Sequence, residues 1–283
     1  MANTAIEAVI LTIIFFIPIV ISDDNAQVPP QRSQVDDWFR TNIMAYMARK
    51  GTLDPALVEA EAATKVIKVR ADGTADFKTV TDAINSIPKG NKKRVIVSIG
   101  EAETTLRKSG LFEISRLLRF TERLMICQGW FTTYGTVDSA TLIVESDYFS
   151  AVNVVFANSA LRPDGKKQGA QALALLVTGD KAALYNCKND WDTLCDDRGR
   201  HFYKDCYIEG TVDFIFGFAK SIFLFSKNGD LNLFYAEYNC NGPGSDVSRR
   251  VGFAKKLSDA DAKPFLSLSF VEGSKWLLPP ASL

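Results

Sequence analysis

Three polar residues stand in apolar, strand-like surroundings, where an unpartnered polar group is costly: Gln171 in GAQALAL, Asp192 in WDTL and Asp213 in TVDFIFG. They are spaced 21 and 21 residues apart. In a chain that coils with a repeat of that length, equal spacing stacks them on neighbouring strands, about 4.8 Å apart. Two carboxylates at that separation cannot both ionise easily, so one pKa rises and the other falls. A proton donor and an anionic nucleophile or base then arise from the same side chain. The competing reading makes Asp192 and Asp213 turn or cap residues. For Asp213 that reading is harder to hold, because Val212, Phe214, Ile215 and Phe216 surround it.

Composition narrows the agents in the same direction. The 283 residues include 33 Lys+Arg against 33 Asp+Glu, a single His and five Cys, with 47% hydrophobic and 23% charged residues. A formal charge of zero argues against nucleic acid as a partner, since that binding rests on Lys and Arg neutralising phosphates. One histidine removes most Ser/His/Asp, Cys/His and poly-His zinc arrangements. An enzyme of this composition works through carboxylates.

The elements that must position them are short β-branched and aromatic runs bounded by Gly, Asn and Asp, such as RVIVSIG, ATLIVESD, ALALLVTGD and SIFLFSKNGD. Only 77–87 and the segment near 112–120 read as helical within this region. Alternating βα units are absent, which sets aside doubly wound and TIM-barrel folds. Asn153, Asn186 and Asp205 each open a similar strand-plus-turn unit, 33 and 19 residues apart. A repeat of about 20 residues with an occasional longer loop, here the insertion 163–169, points to an all-β solenoid: a right-handed single-stranded parallel β-helix. Upstream, the apolar run 8–21 followed by Ser22-Asp23-Asp24 suits a secretory signal over 1–22, although no Lys or Arg precedes it. Residues 23–65 read as an N-terminal arm with a helix in 35–49, and 66–283 as the β-helix domain. Of the cysteines, Cys195 and Cys206 are one conceivable disulfide; small buried thiols are the equal alternative.

The segment 169–224 resembles the plant pectin methylesterases. The residues that carry the resemblance are GAQALAL (169–175), DTLCDDRGRHFYKDC (192–206) and above all IEGTVDFIFG (208–217), with further matches at 69–88, 134–160 and in the tail AEYNCNGPG and GSKWLLPP. The resemblance implies a β-helix enzyme that hydrolyses the methyl esters of galacturonate in pectin without metal or cofactor, secreted to the cell wall. It gives Asp213 the role of nucleophile, Asp192 that of proton donor and then base, and Gln171 a place in the oxyanion hole. Gln171, Trp191, Arg200 and Phe214 are the substrate-binding residues it implies, pectin the only partner, and a monomer with no stable membrane insertion the expected state.

The chain also departs from the family pattern. Trp191 stands where a second oxyanion glutamine belongs, and the stretch before Asp192 is about two residues short. The usual Gly-x-Tyr-x-Glu strand reads Gly100-Glu101-Ala102-Glu103-Thr104, and 111–131 fits poorly. Between 224 and 234 several coils are missing, among them an Arg-Pro-Trp motif whose arginine holds the nucleophile; losing that partner would raise the pKa of Asp213. Two outcomes follow: an esterase of reduced activity, or an inactive relative that binds pectin. His201 is read as structural or exposed, Arg200 as a salt-bridge or substrate residue, Asp196-Asp197-Arg198 as a solvated loop, and Lys275-Trp276 with Pro279-Pro280 as the closing cap of the solenoid.

Overall fold

The structure is a computed structural model that describes residues 24–43, 46–88, 90–100, 112–116, 124–126, 139–157, 173–190, 194–208, 215–224, 227–228, 236–238, 248 and 255–280. Strands β1 (Lys65–Val69), β2 (Val95–Ile99), β3 (Phe112–Arg116) and β4 (Leu124–Ile126) precede four coils of three short strands each. These coils are β5 (Leu142–Val144), β6 (Ser150–Val152) and β7 (Val155–Ala157); β8 (Leu175–Val177), β9 (Ala182–Tyr185) and β10 (Lys188–Asp190); β11 (Leu194–Asp196), β12 (Arg200–Lys204) and β13 (Tyr207–Ile208); and β14 (Ile215–Phe216), β15 (Lys220–Leu224) and β16 (Lys227–Asn228).

Within the four coils each strand pairs in parallel with its counterpart one coil away, whereas β3 pairs antiparallel with β2 and β6, and β4 antiparallel with β5. The sheets run β1-β2-β3-β6-β9-β12-β15, β14-β11-β8-β5-β4 and β16-β13-β10-β7. This is the parallel β-helix that the repeats predict. Asn153, Asn186 and Asp205 all have positive φ (58°, 49° and 56°) and occupy the same corner of three successive coils. The Asn186 side chain donates to Asn153 Oδ1 at 2.7 Å. The 33-residue interval is the coil that holds the insertion, and the 19-residue interval is the plain coil.

The interior is an aliphatic ladder. Leu142, Leu175, Leu194 and Ile215 stack in register, as do Val144 and Val177, and all are buried. Burying a Leu, Ile or Val side chain is worth about 1.5–3 kcal/mol, so the repeated ladder supplies most of the driving force for stacking. On β11 the alternation is visible directly: Leu194 joins the interior, and Cys195 joins an outer cluster with Ile143 and Leu176.

Two helical expectations require correction. Residues 112–116 form β3, antiparallel to both β2 and β6, where a helix is expected; the apolar spacing of FEISRLLRF also fits a strand, and pairing with two distant strands decides it. Segment 35–49 is not one helix but α1 (Arg32–Asn42) followed by the short α2 (Tyr46–Arg49). The other helical expectation holds, with α4 (Val80–Asn85) capped by Thr79, whose hydroxyl accepts from the Asp82 N–H at 3.0 Å.

The arm lies on the outer face of the largest sheet. Val35 and Phe39 of α1, and Leu57 of α3 (Pro55–Glu61), pack with Tyr185, Phe202, Ile222 and Leu224. Val271, Trp276 and Leu277 of the tail join the same cluster, so Trp276 covers the flank of the solenoid and not its end. Arg49, 2% exposed, crosses between arm and tail, donating to the carbonyls of Gly273 (3.1 Å), Ser274 and Leu277. Cys187, Cys195 and Cys206 are buried free thiols, so Cys195 and Cys206 are not bridged; Cys127 and Cys240 lie outside the described residues. No helix among the described residues is long and apolar enough to cross a membrane, and the expected signal lies outside them.

Candidate active site

The strands that follow the three candidate residues are neighbours in one sheet. β11 lies between β8 and β14, with Leu194 paired to Leu175 on one side and to Ile215 on the other. Asp192 is the second residue before Leu194, and Asp213 the second before Ile215. The two aspartates thus share one register offset, and the 21-residue interval between them is the interval of the ladder itself. Gln171 stands four residues before Leu175, and the ladder from β8 to β11 advances 19 residues rather than 21. The equal spacing of the three residues is therefore a property of the two aspartates plus an offset glutamine. Gln171, Trp191, Asp192, Asp213 and Phe214 themselves lie outside the described residues.

What surrounds the strands is apolar on the outer side. Ala140, Ile143, Leu173, Leu176 and Cys195 form a buried cluster with Phe216 packed against it. Burial, reinforced by the charges of Asp197 and Asp196, pushes the Cys195 thiol up to about 12. At neutral pH this sulfur is a protonated packing group and no nucleophile.

Arg200 is held by two carboxylates. Its Nε donates to Asp180 Oδ1 at 3.0 Å, its backbone N–H to the same oxygen at 2.9 Å, and the guanidinium also pairs with Asp180 Oδ2 and, at 3.0 Å, with Glu272. Burial works against the charge on Asp180, but the bonds from Arg200 hold the carboxyl below its ordinary range. The geometry is the salt-bridge alternative of the two open to Arg200, joining the β8–β9 turn, the start of β12 and the tail.

A second polar group escapes sequence reasoning. Asp196 is buried at the end of β11, not solvated in a loop. It accepts from Tyr203 Oη at 2.8 Å and from Ser221 Oγ, and pairs with Nδ1 of His201. His201 is fully buried, and its Nε2 donates to the Gly179 carbonyl at 2.8 Å. Its structural reading stands; the exposed one does not. Asp197 and Arg198 do form the outward turn, with Arg198 74% exposed. The signal that could have found Asp196 is alternation along β11: once Leu194 faces inward, so does Asp196.

Comparison with known proteins accounts for this arrangement. The family model described as Pectinesterase matches residues 66–229, more than half of the chain, from β1 through the four coils. Pectinesterase 1 and Pectinesterase 2 of Olea europaea are 41% and 42% identical over 360 residues, and the alignments cover 99% of this chain and 98% of each relative. A pectinesterase of Parthenium hysterophorus is 42% identical with the same coverage. Alignments of 360 residues against a chain of 283 mean that the relatives carry stretches this chain lacks, in line with the missing coils. On the match of its coils and on identity across nearly its whole length, the chain belongs to the pectinesterase family.

Proposed function

We propose that the protein is a pectin methylesterase, secreted as a monomer and acting on methylated homogalacturonan in the cell wall, with residues 1–22 as its signal, 23–65 as the arm and 66–283 as the β-helix domain. The observation that supports this most is the parallel register of β11 and β14, because Leu194 opposite Ile215 gives Asp192 and Asp213 the same offset one coil apart.

In this reading the Asp213 carboxylate attacks the C6 carbonyl of a methylated galacturonate and forms a C–O bond. The amide N–H of Gln171 stabilises the oxyanion, a contribution of about 3 kcal/mol for a preorganised donor. Asp192, kept protonated by the neighbouring carboxylate, gives its proton to the methoxy oxygen as the bond between that oxygen and the carbonyl carbon breaks, and methanol leaves. The resulting anhydride between Asp213 and the sugar acid is then hydrolysed: Asp192, now anionic, takes a proton from the attacking water, and galacturonate and the Asp213 carboxylate are restored. Splitting one displacement into two is the usual gain of a covalent intermediate. Trp191 and Phe214 are the proposed substrate contacts, while Arg200, the third residue expected there, is engaged by Asp180 and Glu272.

The test is methanol release from highly methylated pectin by purified protein. Asp213→Ala is expected to lower kcat by about 10³-fold or more, and Asp192→Asn by about 10²-fold or more. Equal rates for wild type and Asp213→Ala would remove the assignment.

A further inference from the structure

The interior of the third coil holds a polar cluster that the esterase chemistry leaves unused. Asp196 takes the register position that Val177 and Val144 hold in the two coils before it. His201 pairs in register with Ala182 below and Ser221 above, both in neighbouring coils. Aliphatic positions of the second coil, Val177, Ala182 and Leu184, are thus replaced in the third by Asp196, His201 and Tyr203, with Ser221 beside them in the fourth. The bonds of the cluster run across coils: His201 to the Gly179 carbonyl of the second, Ser221 of the fourth to Asp196 of the third.

The protonation state follows from the partners. A carbonyl only accepts, so Nε2 carries hydrogen; Nδ1 faces a carboxylate oxygen that also accepts from Tyr203, so a proton lies between Nδ1 and Asp196. His201 and Asp196 thus form a hydrogen-bonded pair buried inside the solenoid. Such a pair is weakly stabilising compared with aliphatic packing, and its documented use is to fix register. Aliphatic packing is available at this level, as Val144 and Val177 demonstrate.

We propose that Asp196 and His201 are positioning residues for the esterase reaction: their interior ion pair fixes the Asp196 carboxylate, which, through its bond from Ser221, locks the coil bearing Asp192 against the coil bearing Asp213. Asp196 closes the strand that Asp192 precedes, and Ser221 lies in the strand that follows the one Asp213 precedes, so the lock spans both. This rests on the roles given to those two aspartates under Proposed function.

The lock is sensitive to pH. Burial opposes the charge on His201, but the bonds to Asp196 and to the Gly179 carbonyl, with the field of Asp180, hold its pKa above the ordinary histidine value. The groups that face it are Asp196 on β11, Tyr203 on β12, Ser221 on β15, and Asp180 in the turn before β9, itself paired with Arg200. A folded pKa above the unfolded one gives stabilisation that is complete below about 6.5 and is lost as pH rises through the folded value.

His201 is the only histidine in the chain, so its imidazole nitrogen signals are unambiguous in a ¹⁵N-labelled sample. His201 is expected to keep both ring nitrogens protonated to a higher pH than an ordinary histidine, whose pKa is about 6.5; a titration at or below that ordinary value would overturn the pair. Ser221→Ala removes a donor to Asp196 and is expected to move the His201 titration upward; an unmoved titration counts against the lock across coils. In His201→Gln, kcat for methanol release at acid pH is expected to fall about tenfold with KM changed less than about twofold, as for misplacement of reacting groups. The gap in Tm from wild type should close as pH rises. An unchanged kcat, or a gap constant with pH, sinks the proposal. If His201→Gln does not fold, the nitrogen signals of wild type and Ser221→Ala still decide it. A wild-type protein that releases no methanol would fail the esterase reading, while the nitrogen and Tm readouts continue to test the ion pair by themselves.

Discussion

The first two coils and the last two share one backbone repeat and differ inside. In the coils of β5–β7 and β8–β10 the interior level of Val144 and Val177 is aliphatic, held by area alone; at the same level the coils of β11–β16 hold a carboxylate, an imidazole and two hydroxyls. Apolar contact is non-directional and tolerates sliding, whereas hydrogen bonds to a charged group fix position. At this level the half of the solenoid that needs only stability is packed with hydrocarbon. The half that carries the two aspartates is pinned.

The largest effects should come from a close backbone approach beside this pinned level. Gly217 has φ of 130°, and a Cβ there would fall inside the carbonyl and Cα of the turn at Asp196 and Asp197. Gly217→Ala therefore has to move backbone, with an expected loss of about 4 kcal/mol or more, read as failure to give soluble protein or a collapse of the urea midpoint. Leu175→Ala tests the hydrocarbon half: its side chain is fully buried between Leu142 and Leu194, so the expected loss is about 2–5 kcal/mol. The comparison breaks if Leu175→Ala alters the alkaline pH dependence of stability, which belongs to His201.

How far the sequence discloses this contrast depends on range. The parallel coil is legible because its marks are local: Asn153, Asn186 and Asp205 need positive φ, and Asn and Asp are the side-chain-bearing residues that tolerate it best. The register offset of Asp192 and Asp213 is legible for the same reason, as a distance along the chain. β3 is not, since five residues of mixed pattern take their state from β2 and β6, which pair with it from far away in sequence. Asp196 is hidden in a run of charges, Asp-Asp-Arg-Gly-Arg, that looks solvated; only its place one alternation beyond Leu194 sends it inward. The tail's position on the flank depends on Trp276 and Leu277 meeting Val35 and Phe39, contacts between the two ends of the chain that no local pattern encodes.

Smaller effects test the clamp on the outer face of the large sheet. Arg49→Met keeps the buried stem but leaves the carbonyls of Gly273, Ser274 and Leu277 without their donor, an expected loss of about 2–3 kcal/mol. Early proteolytic cleavage in the tail, with the coils intact, would report it. Asp180 ties the same tail to the turn before β9 through Arg200 and Glu272. Its folded pKa is depressed, so its contribution is present above about 3.9 and is lost as pH falls through the folded value. Asp180→Asn should flatten the acid side of the Tm–pH curve and, by removing part of the field on His201, move the alkaline side to lower pH by a smaller amount. An alkaline side that does not move would mean that Asp180 and His201 titrate independently.

The smallest effect belongs to the corner ladder, where the two halves differ again: Asn153 and Asn186 bond side chain to side chain, while Asp205 at the same corner pairs with Lys204, which also holds Asp36 of α1 at 2.7 Å. Asn186→Gly keeps the positive φ of 49° and gives up one hydrogen bond, so the expected loss is about 0.5–1.5 kcal/mol. Asn186→Ala adds the strain of a left-handed residue, about 1–2 kcal/mol more. If backbone conformation is what the corner requires, urea midpoints will rank wild type, Gly and then Ala. If the two variants are equal, the ladder is held by its hydrogen bond alone, and Asp205 with its two-way lysine is then the stronger corner of the three, on the same side of the molecule as the pinned interior.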